Sequence, residues 1–176
     1  LTAYLAEYEG RLASPQPILC ANAALDAIAG HYQHIAESQN TKVFWRLELP
    51  ERLPIDEVDL CMMLGNLLEN AFHASQKLPP EQRQVKVMAR MLSPAMLGLL
   101  VENRYDGVLK RQQGTLHSTK HDGMGIGLVS IQTAVSRYGG SMTVETENCL
   151  FRVNILLNLY PFRHACGVPP PLSRGG

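Results

Sequence analysis

The stretch Leu64-Gly65-Asn66-Leu67-Leu68-Glu69-Asn70-Ala71-Phe72-His73 has a helical period and two opposed faces. Leu60, Leu64, Leu67, Leu68 and Ala71 fall at the spacings of three and four expected of a helix that buries one side. Asn66 and Asn70 are four apart and share the other side with His73, and Lys77 lies one turn further on. Asparagine competes with its own backbone for hydrogen bonds and gains nothing in mid-helix unless its amide is used. An Asn carbonyl is a suitable oxygen ligand for Mg²⁺, which keeps several waters and takes other ligands from phosphates. A solvated helix face is the other reading, and the helix alone leaves both open.

Outward from this helix the pattern alternates between the two kinds of element. Asp56 is placed to cap a helix over 57–77, and Pro79-Pro80 prevents its continuation. Upstream, Ile18, Ala21, Leu25, Ile28, Tyr32 and Ile35 predict a helix over 18–38. Val43, Trp45, Leu47 and Leu49 alternate as one face of a strand over 42–49. Downstream, Val85, Val87, Ala89 and Met91, then Leu97, Leu99 and Val101, predict a hairpin turning at Ser93-Pro94. A helix over 126–138 carries Leu128, Ile131, Val135 and Tyr138 inward, and Gly139-Gly140 stops it. Strands over 142–147 and 150–157 follow. The expected fold class is an α/β (α+β) two-layer sandwich: a mixed sheet of about five strands covered on one face by three helices. The polar stretch 104–124 has no apolar period, and a connection of that length is usually functional or mobile. The tail over 161–176, with Pro169-Pro170-Pro171, is expected to be disordered.

Composition narrows the function. Sixteen Lys plus Arg balance sixteen Asp plus Glu, which disfavours a nucleic-acid partner. Hydrophobic residues at 45% and charged residues at 18% exclude a wholly disordered chain. No apolar run reaches the roughly 18 residues of a membrane span. The chain opens Leu1-Thr2 rather than with Met, so part of a longer protein is expected, and a membrane anchor upstream stays open. Cys20, Cys61, Cys149 and Cys166 form no CxxC pair, and the apolar surroundings of the first two suggest buried free thiols.

Gly123-Met124-Gly125-Ile126-Gly127-Leu128 stands directly before a helix. Such glycines let backbone N–H groups approach an anion, and the helix N-terminus favours negative charge. Ser118-Thr119-Lys120 upstream adds hydroxyls and a cation that can meet phosphates. No strand runs straight into the loop and no GK[ST] follows, so it is neither a dinucleotide fingerprint nor a P-loop.

Taken together, LGNLLENAFHAS at 64–75, VENRYDG at 101–107, STKHDGMGIGLVSI at 118–131 and YGGSMTVE at 138–145 resemble the ATP-binding catalytic domain of sensor histidine kinases. The resemblance covers roughly residues 18–158, lies within the GHKL ATPase superfamily with its Bergerat ATP-binding fold, and is strongest to Gram-positive receptor kinases that sense peptides or small ligands. It implies ATP and Mg²⁺ as cofactors. Asn70 matches the magnesium-binding Asn, Asn66 the polar residue one turn earlier, and His73 the basic residue three later. Gly123, Gly125 and Gly127 match the glycine box that closes over the phosphates, which Leu128 follows and Lys120 precedes, and all are implied in ATP binding. Asn103 falls where most relatives place the Asp that bonds the adenine amine, and Tyr105 where most place a Gly. An Asn oxygen still accepts from that amine. Hydrolytic members of the superfamily carry a Glu general base where this chain has Asn66, which points to transfer onto a protein side chain.

The resemblance further implies domain limits and partners. Residues 1–14 would be a linker or the end of a dimerisation helix, 15–160 the kinase catalytic domain, and 161–176 the tail. None of the six histidines lies in a phosphoacceptor context, so no catalytic residue is assigned within the chain, and the acceptor hairpin is expected upstream. The implied partners are that hairpin and a response regulator, in a homodimeric receptor whose catalytic domain is cytoplasmic. The alternatives are an anti-sigma-type serine protein kinase and a nucleotide-binding interaction module without transfer.

Overall fold

The computed structural model describes residues 18–108 and 126–159. Three helices, α1 (Ala23–Ser38), α2 (Glu57–Ser75) and α3 (Ile126–Arg137), and five strands, β1 (Lys42–Glu48), β2 (Gln84–Ser93), β3 (Met96–Arg104), β4 (Ser141–Glu147) and β5 (Leu150–Asn158), make up these residues with one short 3₁₀ turn at Pro80–Gln82. The strands form one sheet in the order β1-β2-β3-β5-β4, in which β1 and β2 are parallel and every other pair is antiparallel. A parallel pair needs a crossover, and α2 supplies it between β1 and β2. The expected two-layer sandwich is the observed one.

Burial follows the predicted stripes. Leu60, Leu64, Leu67, Leu68 and Ala71 of α2 are buried, joined by Met63 and Phe72. They face Val85, Val87 and Ala89 of β2, Leu97, Leu99 and Val101 of β3, and Val153, Ile155 and Leu157 of β5, all in one cluster. Ile131, Ala134 and Val135 of α3 and Leu25 and Ala29 of α1 belong to it too. Cys20 is buried as expected, whereas Cys61 is only half-buried. Burial and the carboxylate of Glu57 push the Cys61 thiol pKa up.

The first helix is shorter than its pattern suggests. Asn22 caps it by accepting from Leu25 N–H at 3.1 Å, and the Asp26 carboxylate accepts from the N–H of Leu19 at 2.7 Å and of Cys20 at 3.0 Å. These bonds hold the preceding residues in a turn, so Ile18 and Ala21, expected on the inner face, are exposed. Asp56 caps α2 as expected, accepting from Val58 N–H at 2.8 Å. At the other end Arg83 gathers carbonyls from two helix exits, donating to Leu78 O at 2.8 Å and Gln39 O at 2.7 Å. A cation there satisfies carbonyls that have no intrahelical partner and suits the negative end of the helix dipole.

The β4–β5 hairpin turns on Asn148 and Cys149, both with positive φ (51° and 59°), as a two-residue type I′ turn requires. Gly139 (φ 56°) ends α3, and Gly140 then passes against β5. A Cβ on Gly140 would run into the carbonyl oxygen of Leu156, whereas a Cβ on Gly65, within α2, would meet nothing within 4 Å. The same substitution is therefore expected to have opposite signs. Gly140→Ala should destabilise by roughly 2 kcal/mol through backbone overpacking, and Gly65→Ala should stabilise by about 0.5–1 kcal/mol through helix propensity. Urea unfolding midpoints of the two variants check both.

Candidate functional site

With its apolar stripe committed to the core, α2 turns its polar stripe outward along the end of the sheet. There it forms one wall of a cleft of about 340 Å³. Asn70, His73, Ala74 and Lys77 contribute from α2 and its exit, Asn103, Tyr105, Asp106 and Val108 from the end of β3 and beyond, Leu128 from α3 and Phe151 from β5. That volume lies in the range of small-molecule and cofactor pockets.

Asn70 is exposed on this wall, and its side chain makes no hydrogen bond to another described residue. Asn66 is half-buried one turn earlier, and its Nδ2 donates to Met62 Sδ at 3.2 Å. The second helical turn of the site comes from α3: a Cβ built on Gly127 would lie 3.4 Å from Asn70 Nδ2 and 3.9 Å from Asn66 Cβ and Cγ. The structure thus brings Gly127 against both asparagines. Leu128, the next residue, is buried at the edge of the cleft. Lys120, Gly123 and Gly125 lie outside the described residues.

The relative placement of α2 and α3 is fixed from their far ends. Tyr138 OH donates to Asp59 Oδ2 at 2.8 Å and accepts from Asp56 N–H at 3.2 Å, and Arg137 reaches Asp59 Oδ1 at 2.6 Å. Burial, then the bond to Asp59, pushes the Tyr138 hydroxyl pKa up. On the opposite flank Tyr32 OH of α1 donates to Gly65 O at 3.3 Å, and burial with the nearby charge of Glu69 pushes its pKa up too.

Asn103 is buried, and its Nδ2 donates to Arg104 O at 2.9 Å. The amide nitrogen is thereby engaged, which leaves Oδ1 as the acceptor. By register Asn103 sits opposite Phe151, whose ring meets that of Tyr105 edge-to-face with centroids 6.2 Å apart and planes at 81°. Tyr105 N–H donates to Cys149 O at 3.1 Å, so the β4–β5 turn holds the residue that follows β3. Asp106 accepts from Val108 N–H at 3.0 Å and shapes the rim.

Sequence reasoning located Asn70, His73, Asn103 and Leu128 at the cleft, and Lys77 further along the same stripe. It gave no lining role to Ala74, Asp106, Val108 or Phe151, and treated Tyr105 only as a departure. Ala74 was reachable, since it lies four residues after Asn70. Phe151 was not, because its place depends on the pairing of β3 with β5. Asn66 stands behind Asn70 and does not line the cleft itself. Among the described residues no group of three or more His, Cys, Asp or Glu side chains is arranged to hold a metal. Chemically the cleft offers an amide acceptor beside aromatic rings at one end, and an amide, an imidazole and an ammonium along one wall.

Residues 55–158, more than half of the chain, match the family model described as a GHKL domain. A probable C4-dicarboxylate sensor kinase of Bacillus subtilis (strain 168) is 25% identical over 119 residues, covering 65% of this chain and 21% of that protein. The alginate biosynthesis sensor protein KinB of Pseudomonas aeruginosa is 28% identical over 122 residues, covering 64% and 20%. The chain thus spans about a fifth of the length of these curated relatives. Among solved structures, the mycobacterial sensor histidine kinase MprB superposes with a TM-score of 0.54 at 19% identity, covering 76% of this chain and 94% of that one. The catalytic domain of the histidine kinase ThkA superposes with a TM-score of 0.57 at 14% identity, covering 77% and 90%. The two-layer fold, the match over 55–158 and the meeting of the asparagine helix with Gly127 agree: the chain belongs to the GHKL domain family.

Proposed function

We propose that this chain is the ATP-binding catalytic domain of a sensor histidine kinase, which transfers the γ-phosphate of ATP to a histidine on a helical hairpin outside it. The observation that carries the reading is the approach of Gly127 to Asn66 and Asn70 at the mouth of a base-sized cleft. A helix N-terminus against two amides suits phosphates, and the apolar and aromatic end of the cleft suits a base. A cleft with both halves favours nucleotide binding over a pure interaction module. The relatives named as sensor kinases support the transfer step. A serine acceptor, as in an anti-sigma-type kinase, draws no support from them.

The donor set fits Mg²⁺. Asn70 presents an amide free of hydrogen bonds with other described residues, and a magnesium ion takes one or two protein oxygens with phosphates and waters for the rest. Bound there, the ion would neutralise phosphate charge. The chain's own residues bind and orient: Asn103 and the aromatic wall hold the base, His73 offers a ring N–H and Lys77 positive charge along the phosphate path, and Asn66 backs the α2–α3 junction. Lys120, Gly123 and Gly125 complete the phosphate loop in this proposal. Positioning and charge neutralisation are what phosphoryl transfer chiefly requires. The domain lies within 15–160, flanked by a linker at 1–14 and a tail at 161–176. Its partners are the acceptor hairpin and a response regulator, in a homodimeric, membrane-anchored receptor with this domain on the cytoplasmic side.

Calorimetry with ATP, with and without Mg²⁺, tests the binding half. We expect heat that depends on Mg²⁺, and Asn70→Asp should weaken Mg²⁺-ATP binding by roughly tenfold or more, because a new carboxylate faces the phosphates. Equal affinity in the variant would remove Asn70 from the metal site, and no heat in the parent would leave the nucleotide reading without support.

Radiolabelled ATP tests the transfer half. The chain alone is expected to acquire no stable acid-labile label, and to hydrolyse ATP near background. Asn66 cannot take a proton from water, and a missing general base typically costs about 10²–10⁴-fold. Supplying the acceptor hairpin in trans should restore label on the hairpin. Strong label on the chain by itself, or brisk hydrolysis, would contradict the assignment.

A further inference from the structure

The three helices cover one face of the sheet, and alternate residues of each strand point to the other. The two halves of that outer face differ. Near the cleft it is polar: Lys86, Glu102, Arg152 and Glu145 lie in one row across four strands, and Arg152 donates to Glu102 at 2.7 Å and to Glu145 at 3.2 Å. A sheet packed on one side needs such a solvated face. Toward the β2–β3 turn the same face becomes apolar. A groove of about 220 Å³ is lined there by Met88, Arg90, Leu92, Gly98, Leu100 and Leu156. Leu92 and Leu156 remain 43% and 41% exposed, so apolar surface is left to be covered. Gly98 makes the depression, because it removes the side chain that the alternation would place there. A Cβ on it would lie 3.0 Å from Leu92 Cδ1.

The chain leaves the sheet at the edge of this groove. Leu159, the residue after β5, is buried, and its N–H donates to Ala95 O at 2.7 Å beside the β2–β3 turn. Ala95 stands three residues before Gly98, about 10 Å along β3. Beyond Leu159 the sequence reads Tyr160-Pro161-Phe162-Arg163. Pro161 has no N–H to continue a strand ladder and favours a turn. Three residues of chain also span about 10 Å at most, so Phe162 is within reach of Gly98. A phenyl ring is the large, flat, apolar group that a glycine depression between two leucines can seat. Arg90 on the rim forms no ion pair among the described residues and can offer its cation to the ring face.

We propose that Tyr160-Pro161-Phe162 folds back over the outer face of the sheet and seats the Phe162 ring in the groove above Gly98, against Leu92 and Leu156. The occupant is this chain and not a second copy because it is tethered at the rim. A short tether holds a segment at an effective concentration of order millimolar, which a free partner seldom matches. The start of the 161–176 tail thereby becomes a cover for the sheet face that the helices leave open. The proposal stands independently of the nucleotide reading.

The test is a double-mutant cycle in the whole chain, read by urea unfolding. Phe162→Ala should lower the folding equilibrium constant about tenfold, the low end of what burying a phenyl ring contributes. Combined with Leu156→Ala, the loss should be smaller than the product of the two single losses by about threefold or more, as for residues in contact. Combined with Phe44→Ala, which removes an exposed ring from strand β1, the losses should simply multiply. Phe162→Ala should also raise the binding of an apolar fluorescent dye. Parental stability in Phe162→Ala, or multiplying losses with Leu156→Ala, would overturn the proposal. Sedimentation of the parent should show no dimer held by this face. A dimer that Leu156→Ala dissociates and Phe162→Ala leaves intact would give the groove to a second copy. Strong dye binding by the parent that Phe162→Ala does not change would mean an open groove, and would equally overturn the tail assignment.

Discussion

The whole arrangement depends on one helix being wetted on a single side. The apolar stripe of α2 drives the packing of the helical layer on the sheet, and its burial leaves the asparagines no choice of direction. Each buried leucine on such a stripe is worth about 1.5–3 kcal/mol. Placing Asn66 and Asn70 mid-helix costs far less than that, of order 0.5 kcal/mol each. The core can therefore carry two poor helix formers where a site needs them. Rotating the helix to bury the amides would sacrifice the leucines, so the direction of the polar stripe is fixed by packing.

That constraint also explains what was legible in the sequence. Periods of 3.6 and 2 identified every helix and strand among the described residues, because each element has one face in the core and one outside. Asn70 and His73 were readable because they share the polar side of a helix whose other side is apolar, and Asn103 through its place in the resemblance to sensor histidine kinases. The start of α1 was misread because Ile18 and Ala21 continue the helical period, while Asn22 and Asp26 supply side-chain acceptors that end it. A capping network of that kind outweighs two further apolar positions, and it is visible in sequence only as an Asn followed four residues later by an Asp.

The hidden part of the site belongs to tertiary pairing. Phe151 reaches the cleft through its register with Asn103, and Tyr105 through a backbone bond to Cys149. Neither relation has a local signature. The same applies to the clamp of Asp59 with Arg137 and Tyr138, which joins residues far apart in the chain and sets how α3 lies on α2. A motif reading finds the residues that carry the chemistry and misses those that hold them at the correct distance.

The register of β3 with β5 has a consequence for how the molecule is made. The β2–β3 and β4–β5 hairpins close over short turns and can form locally, but Asn103 and Phe151 are 48 positions apart, from 151 minus 103, and pair only when the intervening α3 has been gathered in. Pairings of long sequence separation carry a loop-closure cost that is met before their contacts reward it. The aromatic end of the cleft is consequently expected among the last parts of the chain to form. A ligand that binds only the completed cleft stabilises the finished domain by mass action.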